Sequence, residues 1–230
     1  MIDGKTFLAV IPARGGSKRL PRKNVLDLSG KPLISWSIEA AKQSKYIDDI
    51  VVSSDDDEIL DIARSLDVTV LKRPVKFSTD TATTFEVVEH LIKNFEKQYT
   101  HLVLLQPTSP LRESEDIDKA IEFLDKKNAD AVVSVCEMEH SPLWSNTLPK
   151  DKSMTTFLKQ ETFNKRSQDL ETYYRLNGAI YLVKVTKLLE KKSFFLKENM
   201  YAFVMNQKKS IDIDTKLDFE IASYLLSKSI

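Results

Sequence analysis

Short apolar runs alternate with amphipathic segments over the first 136 residues, and this alternation limits the folds that the chain can adopt. The apolar runs have the length and β-branched content of buried strands, and the segments between them show helical spacing of apolar residues. A strand–helix alternation predicts an α/β protein with a mainly parallel sheet and helices on both faces. The predicted strands are 6–12, 49–54, 68–71, 101–106 and 130–136, and the predicted helices are 31–44, 55–66, 83–95 and 115–127.

The alternation stops between residues 137 and 175, where the sequence has no clear period. A structureless loop of this length is uncommon inside a compact domain, so we interpret the segment as an extension that packs on a partner subunit. Residues 177–183 then predict a further strand, and residues 210–227 predict a strand end followed by a closing helix. Residues 1–230 are therefore predicted to form a single domain, with 137–175 as a dimerisation segment.

The charge balance and the cysteine content argue against several classes of protein. The 34 Lys and Arg residues equal the 34 Asp and Glu residues, which gives no reason to expect binding to nucleic acid or to an acidic membrane surface. The single cysteine, Cys136, allows no intrachain disulfide, as is typical of a reducing compartment. No apolar stretch is long enough to span a membrane, and the first residues lack the features of a signal peptide. These observations predict a soluble cytoplasmic protein.

A basic loop, "IPARGGSKRLPRKN" at residues 11–24, follows the first predicted strand and carries five basic residues and no acidic one. In a parallel α/β sheet, ligands bind beyond the carboxyl ends of the strands, where this loop lies. Gly15 and Gly16 can adopt positive φ and form an anion-binding nest, while Arg14, Lys18 and Lys23 can contact phosphate oxygens. The alternative is a solvated surface loop. The loop matches neither the Walker pattern nor the dinucleotide fingerprint.

Two aspartates near the C-terminus, Asp212 and Asp214, are two residues apart and would project to the same face of a strand. Two carboxylates about 5 Å apart repel by roughly 3 kcal/mol at an effective dielectric constant near 20, and a divalent cation removes that repulsion. The alternative is that one of them caps the helix that starts near Thr215. A phosphate-binding loop elsewhere in the chain favours Mg²⁺, which bridges carboxylates to polyphosphates.

Several other polar residues have simpler interpretations. Gln106 follows a predicted strand and can touch a ligand, although the Pro, Thr and Ser residues after it also form turns. The acidic run 55–58 is interpreted as a helix N-terminus, His90 as structural, and Cys136 as a buried thiol in a strand.

Six segments of the chain together resemble the acylneuraminate cytidylyltransferases, also called CMP-sialic acid synthetases. They occur in the family's order and cover the chain nearly end to end: "IPARGGSKRLPRKN", "RPVKFSTDTATT", "LLQPTSPLR", "VSVCEMEHSPL", "RLNGAIYLV" and "SIDIDTKLDFEIA". The resemblance implies a Rossmann-like nucleotidyltransferase fold, a homodimer and an Mg²⁺-dependent reaction. In that reaction CTP and a nine-carbon 2-keto sugar acid give the CMP-sugar and pyrophosphate.

The resemblance also implies roles for individual residues. Nucleotide binding is implied for the loop residues Arg14, Gly15, Gly16, Ser17, Lys18, Lys23 and Asn24, with Arg73 and Thr84 at the cytidine. Sugar binding is implied for Gln106 and Arg175, and for Phe194 and Phe195 as an aromatic pair lent by the partner subunit, with core packing as the alternative. Asp212 and Asp214 match the family's Mg²⁺ ligands, and together with Arg14 and Lys23 they form the expected catalytic set.

Two positions depart from the sialic-acid pattern. Trp144 stands where a lysine facing the sugar is expected, and the segment "RLNGAIY" has Leu176 where some relatives have proline. A pocket changed from cationic to aromatic would also suit a related nonulosonic acid, such as legionaminic or pseudaminic acid, so Trp144 is a further candidate for sugar binding.

Three rival functions remain open at the level of sequence. A cytidylyltransferase for the eight-carbon acid of lipopolysaccharide has a similar loop, but the continuation "RKN" at residues 22–24 favours the acylneuraminate group. A non-catalytic nucleotide- or RNA-binding module would fit the basic loop, but the chain has no RNP motif. A sugar-1-phosphate nucleotidyltransferase would instead require a phosphorylated sugar.

Overall fold

A seven-stranded, mostly parallel sheet forms the centre of the molecule, seen in a computed structural model that describes residues 2, 4–79 and 81–228. The strand order is β5-β4-β1-β6-β8-β7-β9. Only β8 runs antiparallel to its neighbours, β6 and β7. The strands are β1 (Phe7–Pro12), β4 (Asp49–Ser54), β5 (Thr69–Lys72), β6 (His101–Leu104), β7 (Ala131–Glu137), β8 (Tyr174–Lys184) and β9 (Met200–Val204), and a separate hairpin pairs β2 (Asp27–Leu28) with β3 (Lys31–Pro32).

Helices cover both faces of this sheet, which confirms the predicted α/β architecture. One face packs on the first, second and fourth helices through residues such as Ile38, Ile59 and Ile121. The other face packs on the third and fifth through Leu91 and Leu188. The helices are α1 (Leu33–Lys42), α2 (Asp57–Ser65), α3 (Thr84–Asn94), α4 (Ser114–Lys127), α5 (Val185–Lys191) and α6 (Lys216–Lys228). None of the helices in the described ranges is long and apolar enough to cross a membrane.

The acidic run after β4 begins a helix, as predicted. The Asp56 side chain accepts a hydrogen bond from the Ile59 backbone N–H, and Asp57 and Glu58 lie in the first turn of α2. These carboxylates satisfy free N–H groups and interact favourably with the helix dipole. The run is therefore held in place by the helix it begins.

One expectation about strands was wrong, and one strand was not predicted. Residues 210–214 form no strand; they are extended, and Ile213 N–H donates to the Thr108 carbonyl at 2.8 Å. The edge strand β9 was not predicted; its five residues are all apolar, but the run is short and partly exposed, and it pairs with β7 alone. Its position beside β7 nevertheless completes the sheet.

Between β7 and β8 the chain forms three short 3-10 turns and otherwise irregular structure. The turns are Pro142–Trp144, Gln160–Thr162 and Ser167–Asp169. Large apolar side chains in this segment are exposed, namely Leu148, Met154 and Phe163. The segment therefore leaves apolar surface uncovered in the single chain, and its role in dimerisation stays a prediction.

A buried histidine at the start of β6 predicts that the fold loses stability in mild acid. Burial, helped by Lys5 and Lys184, lowers the pKa of His101 to about 4, whereas the unfolded value is about 6.5. Its stabilising contribution is therefore complete above about pH 6.5 and is lost as the pH falls through 4. The lost free energy of unfolding should be about 3 kcal/mol.

Urea unfolding of the wild type and of His101→Phe at pH 7 and pH 4.5 measures this contribution. Phenylalanine removes the titrating group and keeps a ring against Phe7, whose ring centroid lies 5.1 Å from that of His101. The variant should lose less stability between the two pH values than the wild type or His140→Phe, in which an exposed histidine is replaced. Equal losses in all three proteins would show that His101 does not carry the effect.

Candidate active site

The main cavity opens at the carboxyl ends of β1, β5 and β6. The sequence analysis predicted that a ligand binds at this edge of the sheet. Its volume is about 580 Å³. Four separate segments form its walls, which explains why no single motif defines it. The lining residues are Pro12, Arg14, Gly16, Ser17, Lys18, Arg19, Lys23 and Asn24 from the basic loop, Arg73, Phe77, Thr79, Ala82, Thr84 and Val87 from the β5–α3 region, Gln106, Pro107 and Thr108 after β6, and Asp212 and Asp214.

The basic loop is held against the acidic start of α2. Gly15 N–H donates to Asp55 Oδ1 at 3.1 Å, and Arg22 forms ion pairs with Asp56 and Glu58. The side chain of Asn24 closes the loop by donating to the Arg14 carbonyl at 3.0 Å. The loop is thus positioned by contacts at its base and its end.

The conformational role expected of the two loop glycines was wrong. Neither Gly15 nor Gly16 has positive φ; the left-handed residue of the loop is Arg22, with φ 57°. Gly15 is required for a different reason, because a Cβ atom there would lie 2.5 Å from Asp56 Oδ2. Space beside the acidic turn, and not backbone conformation, therefore excludes larger residues at position 15.

The basic loop and the paired aspartates meet at one end of the main cavity. Lys23 Nζ donates to the Ile213 carbonyl at 2.6 Å and to Asp214 Oδ1 at 3.1 Å. Arg19 Nη1 also contacts Asp214, at 2.6 Å from Oδ2. Two segments some 190 residues apart in sequence are thereby brought together. The site combines phosphate-binding donors with carboxylates that can hold a cation.

Asp212 has the environment of a carboxylate that would gain from a cation. Partial burial in the cavity wall, with the nearby charge of Asp214, raises the pKa of Asp212, although solvent reaches the side chain and the Thr108 hydroxyl donates to it. The sequence left open that Asp212 or Asp214 caps the last helix, α6. The structure gives this role to Asp218, whose side chain accepts hydrogen bonds from the backbone N–H groups of Asp214 and Thr215. In the described ranges no group of three or more His, Cys, Asp or Glu residues could hold a metal.

Arg73 is a buried cation on the opposite wall of the main cavity. Its side chain is 5% exposed, and Nε and Nη2 have no hydrogen-bond partner in the described part of the chain. Burial lowers the pKa of Arg73, and the opposing carboxylate of Asp55 is 3.9 Å from Nη2. Buried donors without partners cost free energy, so the side chain is prepared for a ligand with acceptor atoms.

Gln106 is fixed by neighbours that the sequence pattern did not identify. Its carbonyl accepts from Ser37 Oγ at 3.2 Å and from Arg112 Nη1 at 3.3 Å. Gly178 of β8, with φ +74°, lies beside the Gln106 side chain, and a Cβ atom there would be 2.6 Å from Oε1. A glycine inside a strand can mark such a close approach, and this was the available signal.

Replacing Gly178 by alanine should therefore displace Gln106. The positive φ and the close contact together should cost roughly 1–3 kcal/mol of stability. Because Gln106 lines the main cavity and is predicted to contact a sugar acid, the KM for that sugar acid should rise more than the KM for the nucleotide. Gly30→Ala is the matched control, since Gly30 has φ +93° but its added Cβ atom meets nothing described within 4 Å. Steady-state kinetics that change equally in both variants would contradict the role of this contact.

The other predicted sugar-binding residues lie outside the lining of the main cavity. Arg175 is paired with Glu139, Nη2 to Oε1 at 2.7 Å, and also reaches the Ser210 carbonyl at 3.4 Å. Trp144 lies at the end of a 3-10 turn in the irregular segment. Their roles stay predictions.

The aromatic pair lies next to a residue that sequence reasoning missed, Tyr181 of β8. Phe194 is 7% exposed and packs in the core of its own chain, while Phe195 is 50% exposed. Both rings contact Tyr181, with centroids 6.1 and 6.2 Å apart, and burial together with the charge of Asp212 raises the pKa of Tyr181. Tyr181 thus packs on both rings of the pair and lies near enough to Asp212 to be influenced by its charge.

Comparisons with known proteins identify the family of the chain and its fold. The cytidylyltransferase family model matches residues 8–227. The chain is 38% identical over 230 aligned residues to a CMP-N,N'-diacetyllegionaminic acid synthase of Legionella pneumophila, covering 96% of each chain. It is 35% identical to a pseudaminic acid cytidylyltransferase of Campylobacter jejuni, covering 95% of each. An N-acylneuraminate cytidylyltransferase of Streptococcus agalactiae is 39% identical over 92% of this chain, which spans 51% of that longer protein.

Solved structures share the fold at low sequence identity. A CMP:2-keto-3-deoxy-manno-octonic acid synthetase complexed with CTP superposes with a TM-score of 0.72 at 18% identity, over 98% of this chain and 100% of the other. A 4-diphosphocytidyl-2C-methyl-D-erythritol synthase from Anaerococcus prevotii gives a TM-score of 0.68 at 17% identity, over 98% and 100%. The Rossmann-like nucleotidyltransferase fold is therefore confirmed, as is the resemblance to the acylneuraminate enzymes. The chain belongs to the cytidylyltransferase family.

Proposed function

We propose that the protein transfers CMP from CTP to the anomeric hydroxyl of a nine-carbon 2-keto sugar acid and releases pyrophosphate. The observation that carries this proposal is the main cavity, in which the basic loop, Arg73 and the Asp212/Asp214 pair face one another. The substrate class follows from the similarity to the legionaminic and pseudaminic acid enzymes over nearly the whole chain.

The nucleotide would occupy the cavity between the basic loop and α3. Arg14, Lys18 and Lys23 supply positive charge for the triphosphate, while Ser17 and Asn24 complete the loop. On the opposite wall, Arg73 and Thr84 provide polar contacts and Phe77 an apolar one, which suits a cytidine. The donors on Arg73 would then gain the partners that they lack.

Asp212 and Asp214 fit an Mg²⁺ ion, because both line the cavity beside the loop that would hold the phosphates. Oxygen ligands from carboxylates and polyphosphate are those that this ion prefers. When bound, Mg²⁺ would neutralise charge on the phosphates. Its binding would also relieve the repulsion that contributes to the raised pKa of Asp212.

Transfer requires one bond to form and one to break at the α-phosphorus. The anomeric oxygen of the sugar acid attacks this phosphorus, the bond to the β-phosphate oxygen breaks, and pyrophosphate leaves. The cationic side chains of Arg14 and Lys23 stabilise the charge that develops on the phosphates. The hydroxyl proton needs an acceptor, and Asp212 and Asp214 are the candidates, because they are the carboxylates among the described residues that line the cavity.

The sugar acid would bind between Gln106, Arg175 and the aromatic residues. Arg175 already holds a carboxylate, that of Glu139, which shows that its guanidinium can accept such a group. Trp144, in place of the lysine expected in sialic-acid enzymes, favours legionaminic acid or a related nonulosonic acid. Only a similarity of fold to the octonic acid synthetase supports the eight-carbon acid as the substrate.

A homodimer formed through the 137–175 segment and the β7–β9 edge is part of the same proposal. Exposed apolar residues in or beside this region support it, among them Leu148, Met154, Phe163, Leu176 and Tyr201. A protein that uses CTP and has a single free buried thiol, Cys136, also suits the cytoplasm. Sedimentation equilibrium should give twice the chain mass of 26.3 kDa, and a monomer at micromolar concentration would contradict the proposed homodimer.

Pyrophosphate release from CTP tests the substrate class. The assay uses Mg²⁺ and a panel of N-acetylneuraminic, legionaminic, pseudaminic and eight-carbon sugar acids. Release should be fastest with a nine-carbon acid. Release with the eight-carbon acid alone would overturn the proposed substrate, and no release across the panel would overturn the enzymatic function.

A further inference from the structure

A second cavity of about 500 Å³ lies behind the loop that follows β6, away from the residues assigned above. Its walls come from α1, the start of α4, the end of α6 and the segment before Ser210. None of its lining residues lines the main cavity. The proposed reaction therefore leaves this cavity without a role.

The most unusual residue in its wall is Arg112, which is 2% exposed. Its Nη1 donates to the carbonyls of Ala179 at 2.9 Å and Gln106 at 3.3 Å. Its Nε and Nη2 have no hydrogen-bond partner in the part of the chain that the structure describes. Burial lowers the pKa of Arg112 to about 10, so it stays protonated at neutral pH.

Buried guanidinium donors without acceptors are costly, and an anion in the cavity would relieve that cost. The surrounding charge supports an anion, since the lining includes five cationic residues and two acids. Lys31 and Lys209 are paired with Glu39 and Glu113 respectively. The exposed Lys208 forms no ion pair with a described residue, and the N-terminus of α4 adds its dipole at the same wall.

Part of the remaining wall is apolar. Leu111 and Leu226 are each 9% exposed and belong to one small core cluster, against which Trp36 also packs. Trp36 Nε1 donates to the Leu28 carbonyl at 3.0 Å, which fixes the indole. A ligand here would meet both cations and hydrocarbon.

We infer that the second cavity binds a small organic anion, a carboxylate or a phosphate monoester with an apolar body, whose charged group contacts Arg112 and Lys208. This site is separate from the proposed nucleotide and sugar sites. Its walls include Arg112, which donates to the carbonyl of the cavity residue Gln106, and the segment that precedes Ser210.

Trp36 gives a direct test, because the chain has only two tryptophans. In a Trp144→Phe background, Trp36 fluorescence is titrated with phenyl phosphate and benzoate, and with benzyl alcohol as a neutral analogue. Either anion should produce a saturable change at concentrations where the alcohol produces none. The readout does not require CTP binding or turnover, so it is independent of the proposed function.

Charge reversal at the rim provides the matched comparison. Lys208→Glu should weaken anion binding about tenfold, whereas Lys126→Glu, an exposed lysine outside the cavity lining, should leave it unchanged. Arg112→Lys keeps the charge but removes the guanidinium fork and should also weaken binding; if it does not fold, Lys208→Glu carries the test. No saturable change with either anion, equal binding of the alcohol, or equal effects of the two charge reversals would overturn the inference.

Discussion

Replacing Asp212 by asparagine should lower kcat by about 100- to 1000-fold while changing the Kd for CTP less than about threefold. The substitution keeps the shape of the side chain and removes its charge. In the proposed mechanism that charge holds a cation beside the phosphates, and this interaction strengthens as the α-phosphorus is attacked. Binding of CTP instead depends mainly on the basic loop and Arg73, which the substitution leaves in place.

The pH profile separates this role from a merely structural one. Because burial and Asp214 raise the pKa of Asp212 in the metal-free cavity, the Mg²⁺ concentration needed for half-maximal turnover should rise as the pH drops through that raised value, where the protonated carboxylate no longer holds the cation. The asparagine variant should lose this dependence. Asp57→Asn serves as the control, since Asp57 is an exposed partner of Lys72 outside the main cavity. Near-normal turnover of Asp212→Asn with CTP and Mg²⁺ would show that the assignment is wrong.

Replacing Arg73 by methionine should separate stability from function. Affinity for CTP should fall about 10- to 100-fold, because hydrogen bonds to a buried charged group contribute about 1.5–3 kcal/mol each. The ligand-free protein should not be destabilised and should gain stability, since Nε and Nη2 of this buried cation lack described partners and methionine has a similar length.

Calorimetric titration with CTP and thermal unfolding without ligand measure the two effects separately. Arg64→Met is the control, because Arg64 forms an exposed pair with Asp61 on the surface of α2. The control should leave both quantities within experimental scatter. A fall in the unfolding temperature of Arg73→Met with unchanged CTP affinity would mean that Arg73 is structural and that the cytidine end of the cavity has been misassigned.

The sheet could be predicted because strands such as β1 and β6 are buried on both faces and therefore read as continuous apolar runs. That same property hides strand direction, so the antiparallel β8 could not be distinguished from its parallel neighbours. The edge strand β9 was missed although its sequence, MYAFV, is also a continuous apolar run. Its residues are partly exposed, and its pairing with β7 depends on tertiary contacts that no local pattern records.

The site residues also divide into those that local sequence features predict and those that only the folded chain reveals. The basic loop could be located because its charge and its position after β1 are local features. The link from Lys23 to Asp214 spans 191 residues and becomes visible only when the chain is folded. The role of Gly178 could be stated only once the structure showed that it lies beside Gln106. Nothing in the sequence indicates that Arg73 and Arg112 are buried with donors that lack partners. Burial of charge and contacts between distant segments are therefore the parts that required the structure.

The fate of the α-phosphate tests the central claim most directly. The enzyme is incubated with Mg²⁺, a nonulosonic acid and CTP that carries ³²P at either the α- or the γ-position, and the products are separated. Cytidylyl transfer predicts that the α-label appears in the CMP-sugar and the γ-label only in pyrophosphate. Transfer of the γ-label to the sugar acid, or recovery of the α-label only in CTP, would contradict the account.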